Sequence, residues 1–391
     1  MVKFIFYFCL FWNLILLRSI AYAYPEFIGV GYTTCITCHF NGSGGGPLND
    51  YGRSLFAVEI ADKPFYYSKM KNEYLDKISG FLGRQQLEDW VRPYIKARQL
   101  LYSPNIYSTT PYQNITMQLA VGSTFIFGQD AKNQINFEMG YVPQPKSADK
   151  NKPEQLKNWI SREYYYRRQV SDNSWIYVGF MDKPFGVKTP DHTAVNRARI
   201  GFGQNDQAHG ILYHLLNENW EYFGFAYAGH LEQSSDIRQT GLANMLEYDV
   251  AEKQRVGFSV NYSQSTIVKY TRIAFHHKMG VGEQHALLSE IGLSQDKAFD
   301  STVVEKNGIY YFGSGWIHLR RGLNLTSQIE YYKDKMTQTH PENLKWGLGL
   351  IYFPAQRFEF RTTLVTARSI SPTNSVGADG ISWQNQLHFS F

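Results

Sequence analysis

From about residue 109 onward the chain is a succession of short segments in which apolar or aromatic residues alternate with polar ones, separated by turn residues. In Asn114 to Gly128, Ile115, Met117, Leu119 and Val121 share one face; in Asn219 to Gly229, Phe223, Phe225 and Tyr227 alternate with Tyr222, Gly224 and Ala226. Leu323 to Tyr332 and Arg357 to Thr366 repeat the pattern, and Val195 to Gly203 sets Ala198, Ile200 and Phe202 against Arg197, Arg199 and Gly201. A period of two marks strands with one apolar and one polar face. Sixteen such segments can be counted, the first near 115–127 and the last near 381–391.

Ahead of residue 109 the texture is different. Asn49 or Asp50 can cap a short helix through Leu55, Phe56 and Ile60, and a second helical stretch includes Tyr74, Leu75, Ile78 and Phe81. A third helix is predicted from Gln85 to Leu101, with Leu87, Val91, Ile95 and Leu101 on or near one face and Pro93 disturbing it. The pattern therefore predicts a mainly β chain: a small α-helical domain over 24–108, then a sheet over 109–391.

Alternating strands fit a soluble sandwich or a transmembrane barrel. The barrel is favoured because aromatic content is 16% with Tyr and Phe at strand ends, and because the segments are long enough for a tilted span. The polar faces carry Arg, Glu and Gln, which a dry sandwich core does not tolerate but a watery lumen does. The last segment also ends on the aromatic Phe391, with Trp383, Leu387 and Phe389 on the same face, as outer-membrane barrel strands do. The expectation is an antiparallel outer-membrane β-barrel of about 16 strands.

The N-terminus predicts export. Lys3, an apolar run from Phe4 to Leu17 and the small-x-small pattern Ala21-Tyr22-Ala23 read as a signal peptide over 1–23. Removing it takes away Lys3 and Arg18, so the formal net charge falls from +5 to +3, too mild and too mixed to suggest a nucleic-acid partner. Of three cysteines, Cys9 lies in the signal, which leaves Cys35 and Cys38.

Two cysteines separated by two residues staple almost nothing, and no thioredoxin-like alternation of strands and helices surrounds them. His39 follows directly, giving Cys35-Ile36-Thr37-Cys38-His39. This is the pattern of c-type haem attachment: the thiols bond the haem vinyl groups as thioethers and His39 supplies the proximal iron ligand. A disulfide or a zinc site is the alternative. The distal ligand is open, with Met70 the candidate between His39 and the first predicted strand; its bland reading is packing. One covalent haem c is the expected cofactor.

The stretch Cys-x-x-Cys-His, then Gly44-Gly45-Gly46-Pro47-Leu48, then Asp50-Tyr51-Gly52-Arg53, ahead of an aromatic-rich barrel, resembles monohaem c-type cytochromes fused to porin-like barrels of bacterial outer membranes. It is similar in concept to porin–cytochrome conduits. The resemblance implies a bacterial outer-membrane location, contact with outer-membrane lipid, and periplasmic or multihaem cytochrome partners. An even strand number with short periplasmic turns, and the brief linker from Ser103 to Tyr112, put the haem domain on the periplasmic side. One haem cannot bridge a hydrocarbon layer on the order of 30 Å thick, so a conduit needs such partners.

Three functions follow. The first is electron transfer by a non-enzymatic carrier at the periplasmic side. The second is a diffusion porin whose haem domain is a plug or redox-sensitive gate; Arg197, Arg199, Arg272, Arg320, Arg357 and Arg361 then favour anionic solutes, unless they pair with acids such as Glu163, Glu330 and Glu359. Catalysis at an open haem site, such as peroxide reduction, ranks last, because no distal His or Arg sits at an interpretable spacing.

Overall fold

The computed structural model describes residues 25–391 apart from 31, 33, 45, 64–69, 84–87, 108–111, 142–158, 190, 300–304, 337–341 and 371–379. The expected signal peptide, 1–23, lies outside the described residues. Sixteen strands follow one another, beginning with β1 (Val91–Ser103), β2 (Gln113–Phe127), β3 (Asn133–Tyr141), β4 (Trp159–Ser171), β5 (Ser174–Met181), β6 (Ala208–Leu216), β7 (Trp220–Gly229) and β8 (Thr240–Ala251). The second half comprises β9 (Gln254–Gln264), β10 (Val268–Val281), β11 (His285–Ala298), β12 (Lys306–Arg320), β13 (Leu323–Lys333), β14 (Glu342–Ala355), β15 (Phe358–Ile370) and β16 (Gly380–Ser390). Each pairs antiparallel with its neighbours, and β16 pairs with β1 from Lys96↔Ser390 to Ser103↔Trp383, so the sheet closes into a barrel.

The alternation explains the closure. Phe258, Phe275, Ile291, Leu348, Phe360 and Leu364 point outward and are exposed, while Arg255, Ser259 and Asn261 of β9 and Arg272 and His276 of β10 point inward and are buried. An outer band of apolar side chains around a polar lumen is the pattern of a membrane barrel, and closure leaves no unpaired sheet edge. Among the described residues no helix is long and apolar enough to cross a membrane. One end of the barrel is closed by tight turns such as 172–173, 252–253 and 321–322; the other carries the longer connections.

Two elements differ from the sequence expectation, although the strand number does not. The predicted helix over 85–101 is β1 for most of its length, so the barrel begins at Val91 rather than near residue 109, and the helical N-terminal domain is correspondingly shorter. The apolar positions Val91, Ile95 and Leu101 are spaced by even numbers, so they share a face in a strand as well; Arg92, Tyr94, Lys96 and Arg98 form the other face. Pro93 is tolerated because it precedes Lys96, where pairing with β16 begins, and has a ladder partner only on β2.

The predicted strand over Val195 to Gly203 is instead part of the 182–207 connection between β5 and β6, which folds back into the lumen. Gly186 N donates to Ser259 Oγ (3.0 Å), Val187 N to Glu290 Oε2 (2.6 Å) and Val195 N to Glu330 Oε2 (2.8 Å), while Arg272 Nε donates to Ile200 O (3.0 Å). Inward carboxylates of β11 and β13 thus take the backbone amides that a sheet ladder otherwise uses. Gly201 (φ +83°) ends the single 3-10 turn Ala198–Ile200 in a left-handed conformation that stops a strand there.

Candidate functional site

The N-terminal segment sits inside the lumen at the tight-turn end. Its first helix, α1 (Pro25–Val30), buries Phe27 and Ile28 against Ala286, Leu288, Trp316 and Phe353 of the wall. Gly29 is packed so closely that a Cβ would lie 2.3 Å from Gln284 O in the β10–β11 turn. Polar ties continue along the segment. Arg167 Nη1 donates to Phe40 O (3.2 Å), Asp62 N to Phe353 O (2.9 Å), and Arg321 Nε to Ala61 O (2.7 Å). Arg320 pairs with Asp62 (2.8 Å), and Arg357 donates to Ser79 O (2.8 Å). The segment is a plug fastened to several turns at once.

Within it, α2 (Cys35–Cys38) is one helical turn, closed by His39 N donating to Cys35 O (2.8 Å). The chain returns after a glycine-rich turn so that Leu48 bridges to His39, and Asn49 then caps α3 (Asp50–Leu55), accepting from Gly52 N at 2.8 Å. Asn49 also donates through Nδ2 to Thr37 O (3.0 Å), so the cap ties α3 to the motif. Gly52 permits the contact between the helices, since a Cβ there would meet Cys38 O at 2.3 Å. Ile36 packs on an aromatic wall that includes Tyr177 and Phe223 of β5 and β7, and Gly42 N donates to Tyr177 Oη (3.3 Å).

Cys35, Cys38 and His39 all line a single cavity of about 310 Å3 between the plug, the 182–207 connection and the wall, which contributes residues of β1–β4, β15 and β16 and, across the lumen, Phe223, Met245, Glu247 and Lys278. That volume is at the lower end of what small-molecule and cofactor sites enclose. Phe27, Phe40, Leu48, Phe56 and Phe353 give it apolar walls, and several arginines reach it. Both cysteines are free thiols. Burial pushes the Cys35 thiol up to about 11 and that of Cys38 up to about 12, the latter also by the charge of Cys35. Thiols so hard to ionise are poorly suited to a nucleophilic Cys-x-x-Cys redox pair.

The donor set fits a covalent haem: two thiols and an imidazole from one turn face one apolar-walled space, and a porphyrin brings its own equatorial nitrogens. Among the described residues no three Cys, His, Asp or Glu side chains converge as a protein-only metal site, which disfavours zinc. Met70 does not line this cavity; its carbonyl accepts from Lys63 Nζ (3.3 Å). The lining methionine is Met245, on the inward face of β8, which sequence spacing had no means of finding.

The plug-side carboxylates are held ionised. Burial raises Asp50, but hydrogen bonds from Arg92 (2.9 and 3.0 Å) and the charges of Arg53 and Arg92 bring it below its ordinary value. Asp62 is lowered in the same way by Arg320 and Tyr352 against the effect of burial. Of the arginines expected in the lumen, Arg272 pairs with Asp296 (2.5 Å), Arg361 with Glu359 (2.9 Å) and Arg199 with Asp334. These are structural pairs.

No family model matches the sequence, and no curated protein matches it. Solved structures do. OmpT of Vibrio cholerae, expressed in the outer membrane, matches with a TM-score of 0.61 at 8% identity, over 78% of this chain and 99% of that one. The outer-membrane channel DcaP of Acinetobacter baumannii matches with a TM-score of 0.52 at 11% identity, over 80% and 99%. Salmonella typhi OmpF in complex with daunomycin matches with a TM-score of 0.56 at 11% identity, over 77% and 97%. The fold is that of an outer-membrane porin-like barrel. Identities this low carry the fold alone, and any cofactor of this porin-like barrel has to be argued from its own residues.

Proposed function

We propose that this chain is an outer-membrane barrel of the porin type whose lumen is restricted from the periplasmic side by its N-terminal plug, and that the plug carries one covalent haem c. The observation that carries the reading is the convergence of Cys35, Cys38 and His39 on one lumen cavity, inside a barrel whose wall holds the plug by its backbone. Cys35 and Cys38 would hold the group by thioether bonds and His39 would ligate the iron. Bound there, it supplies one-electron chemistry. The residues do the rest. Ile36 and Phe27 seat the motif against the wall, Asn49 fixes the turn beneath it, and Phe40, Leu48, Phe56 and Phe353 offer apolar cover to a porphyrin edge. Short turns face the periplasm in barrels of this class, which supports a periplasmic plug, because β1 starts and β16 ends at that end.

A second reading, electron carriage to a periplasmic or multihaem cytochrome partner, is favoured by the extent of the cavity. Its lining runs from Cys35 to Ser79, Gln356 and Phe391 at the tight-turn mouth. One experiment set tests both. The protein should fractionate with the outer membrane, migrate faster on a gel when unheated, and stain for covalent haem; Cys35→Ala with Cys38→Ala should abolish the stain. Staining that survives the double substitution overturns the attachment. Bilayer conductance that changes between ferricyanide and dithionite favours the gated channel; an unchanged, low conductance favours the carrier.

A further inference from the structure

The cavity beside the motif has another side that neither reading uses. The β3–β4 ladder shifts register between Glu138 and Met139, opposite Ser161 and Glu163. The resulting bulge turns the sequence neighbours Arg162 and Glu163 inward together, where both are buried. Arg162 is 4% exposed and lines the cavity. Its Nε is without a hydrogen-bond partner, and among the described residues no carboxylate lies at ion-pair distance from it. The side chain lies flat on Gly140, where a Cβ would come within 1.8 Å of Nε, and its other neighbour is the Gln204 carboxamide.

Two of the three acids around it are engaged elsewhere, Glu138 with Lys96 (3.0 Å) and Asp182 with Lys188 (3.0 Å), while the buried Oε2 of the third, Glu163, has no hydrogen-bond partner. Glu163 faces Gly46, at which a Cβ would lie 3.9 Å from its Oε2. Of the other guanidiniums that line the cavity, two act with Arg162 on the same histidine, His192. Arg98 comes from β1, and Arg197 is fixed by donating to Thr189 O (2.8 Å) and Phe202 O (3.2 Å). His192 lies among the three. Burial lowers its pKa first, and the positive charges of Arg98, Arg197 and Arg162 lower it further, against Asp191. A buried guanidinium with no anion is costly, and a planar carboxylate satisfies its fork by two parallel bonds.

We propose that Arg162, flanked by Arg197 and Arg98, forms a carboxylate-binding site within the lumen. The carboxylate comes either from the propionates of the haem, a source that rests on the function proposed above, or from a small organic acid entering the barrel. The test uses full-length protein carrying Arg162→Gln or Arg162→Lys, with Arg197→Gln as the second variant should Arg162→Gln fail to give the heat-modifiable folded band.

The first arm is a spectroelectrochemical titration of the haem. If Arg162 holds a propionate, Arg162→Gln lowers the midpoint potential, because a positive charge that disfavours the oxidised iron is gone, and Arg162→Lys restores part of it. The second arm is thermal unfolding in sodium acetate against sodium chloride at equal ionic strength. If the site takes a free acid, acetate raises the midpoint of the unsubstituted protein and the rise is lost in Arg162→Gln. Movement in neither arm overturns the site. Absence of covalent haem from the unsubstituted protein would overturn the haem reading instead, and the acetate arm alone would then decide the site.

Discussion

The lumen of this barrel has two walls that follow different rules. On β5–β14, the inward positions include Tyr177, Leu212, Phe223, Phe225, Met245, Leu288, Tyr310, Phe312, Ile351 and Phe353, all buried. They belong to two apolar clusters that take in Phe27, Ile28 and Ile60 of the plug and Phe185, Val195 and Ile200 of the folded-in connection. On β15, β16 and β1–β4, the inward positions facing the cavity include Arg98, Lys96, Glu138, Arg162, Glu359 and His388. The first wall is covered by protein, over these apolar residues and over a buried charged cluster that includes Glu221, Glu247, Arg255, His276 and Lys278, and the second borders most of the open cavity. A barrel strand alternates in both cases, and what distinguishes them is whether the plug and the folded-in connection pack on the inward side chains.

The sharpest way to break this contrast is to remove a large side chain from the packed wall. Phe312 is fully buried among plug-facing residues, so Phe312→Ala should cost about 3–5 kcal/mol, read as a lower denaturant midpoint of the folded barrel in detergent. Gln118→Ala on the cavity side should stay within about 0.5 kcal/mol. Equal losses from the two would mean that the walls do not differ.

A smaller effect tests the seam between plug and wall. Gly29→Ala forces a Cβ onto the Gln284 carbonyl, a backbone atom with little freedom to yield. The expected loss is about 1–3 kcal/mol, seen as faster proteolytic clipping of the plug while the barrel band persists. Unchanged clipping would show that α1 does not hold the plug in place.

The smallest effect is acid dependence. Asp50 and Asp62 are lowered in the folded protein, and Asp191 of the folded-in connection is held down to about 2 by Lys345, Thr193 and Gln328 against burial. A carboxylate with a lowered folded pKa stabilises fully above its unfolded value, near 4, and loses that contribution as pH falls through the folded value. Tryptophan fluorescence should therefore be flat from neutral pH to about 4 and change below it. A transition near neutral pH would point to histidines instead.

Much of the barrel was legible in the chain. Fifteen of the sixteen predicted segments coincide with strands. The exceptions compensate each other. Val91, Ile95 and Leu101 carry a spacing that suits helix and strand alike, whereas Ala198, Ile200 and Phe202 alternate yet pack inside the lumen. Local pattern reports which residues want burial and is silent on what will bury them. Around the cavity, Cys35, Cys38 and His39 stand out in the sequence because their spacing is local, whereas Met245 and His192 reach the cavity from distant strands and loops. Arg162 did leave a trace: the consecutive charges Arg162-Glu163 interrupt the alternation of β4, which is how a bulge shows in a sequence.

The sequence by itself determined a closed sheet and a haem-type motif, because a two-residue period and a five-residue spacing are set by the backbone of one strand and one turn. The tertiary structure decided that the motif lies within the lumen, that 182–207 folds across it, and which half of the wall the plug and that connection cover. Those are contacts between residues far apart in the chain, such as Gly29 with Gln284 and Val195 with Glu330, and no local period records them.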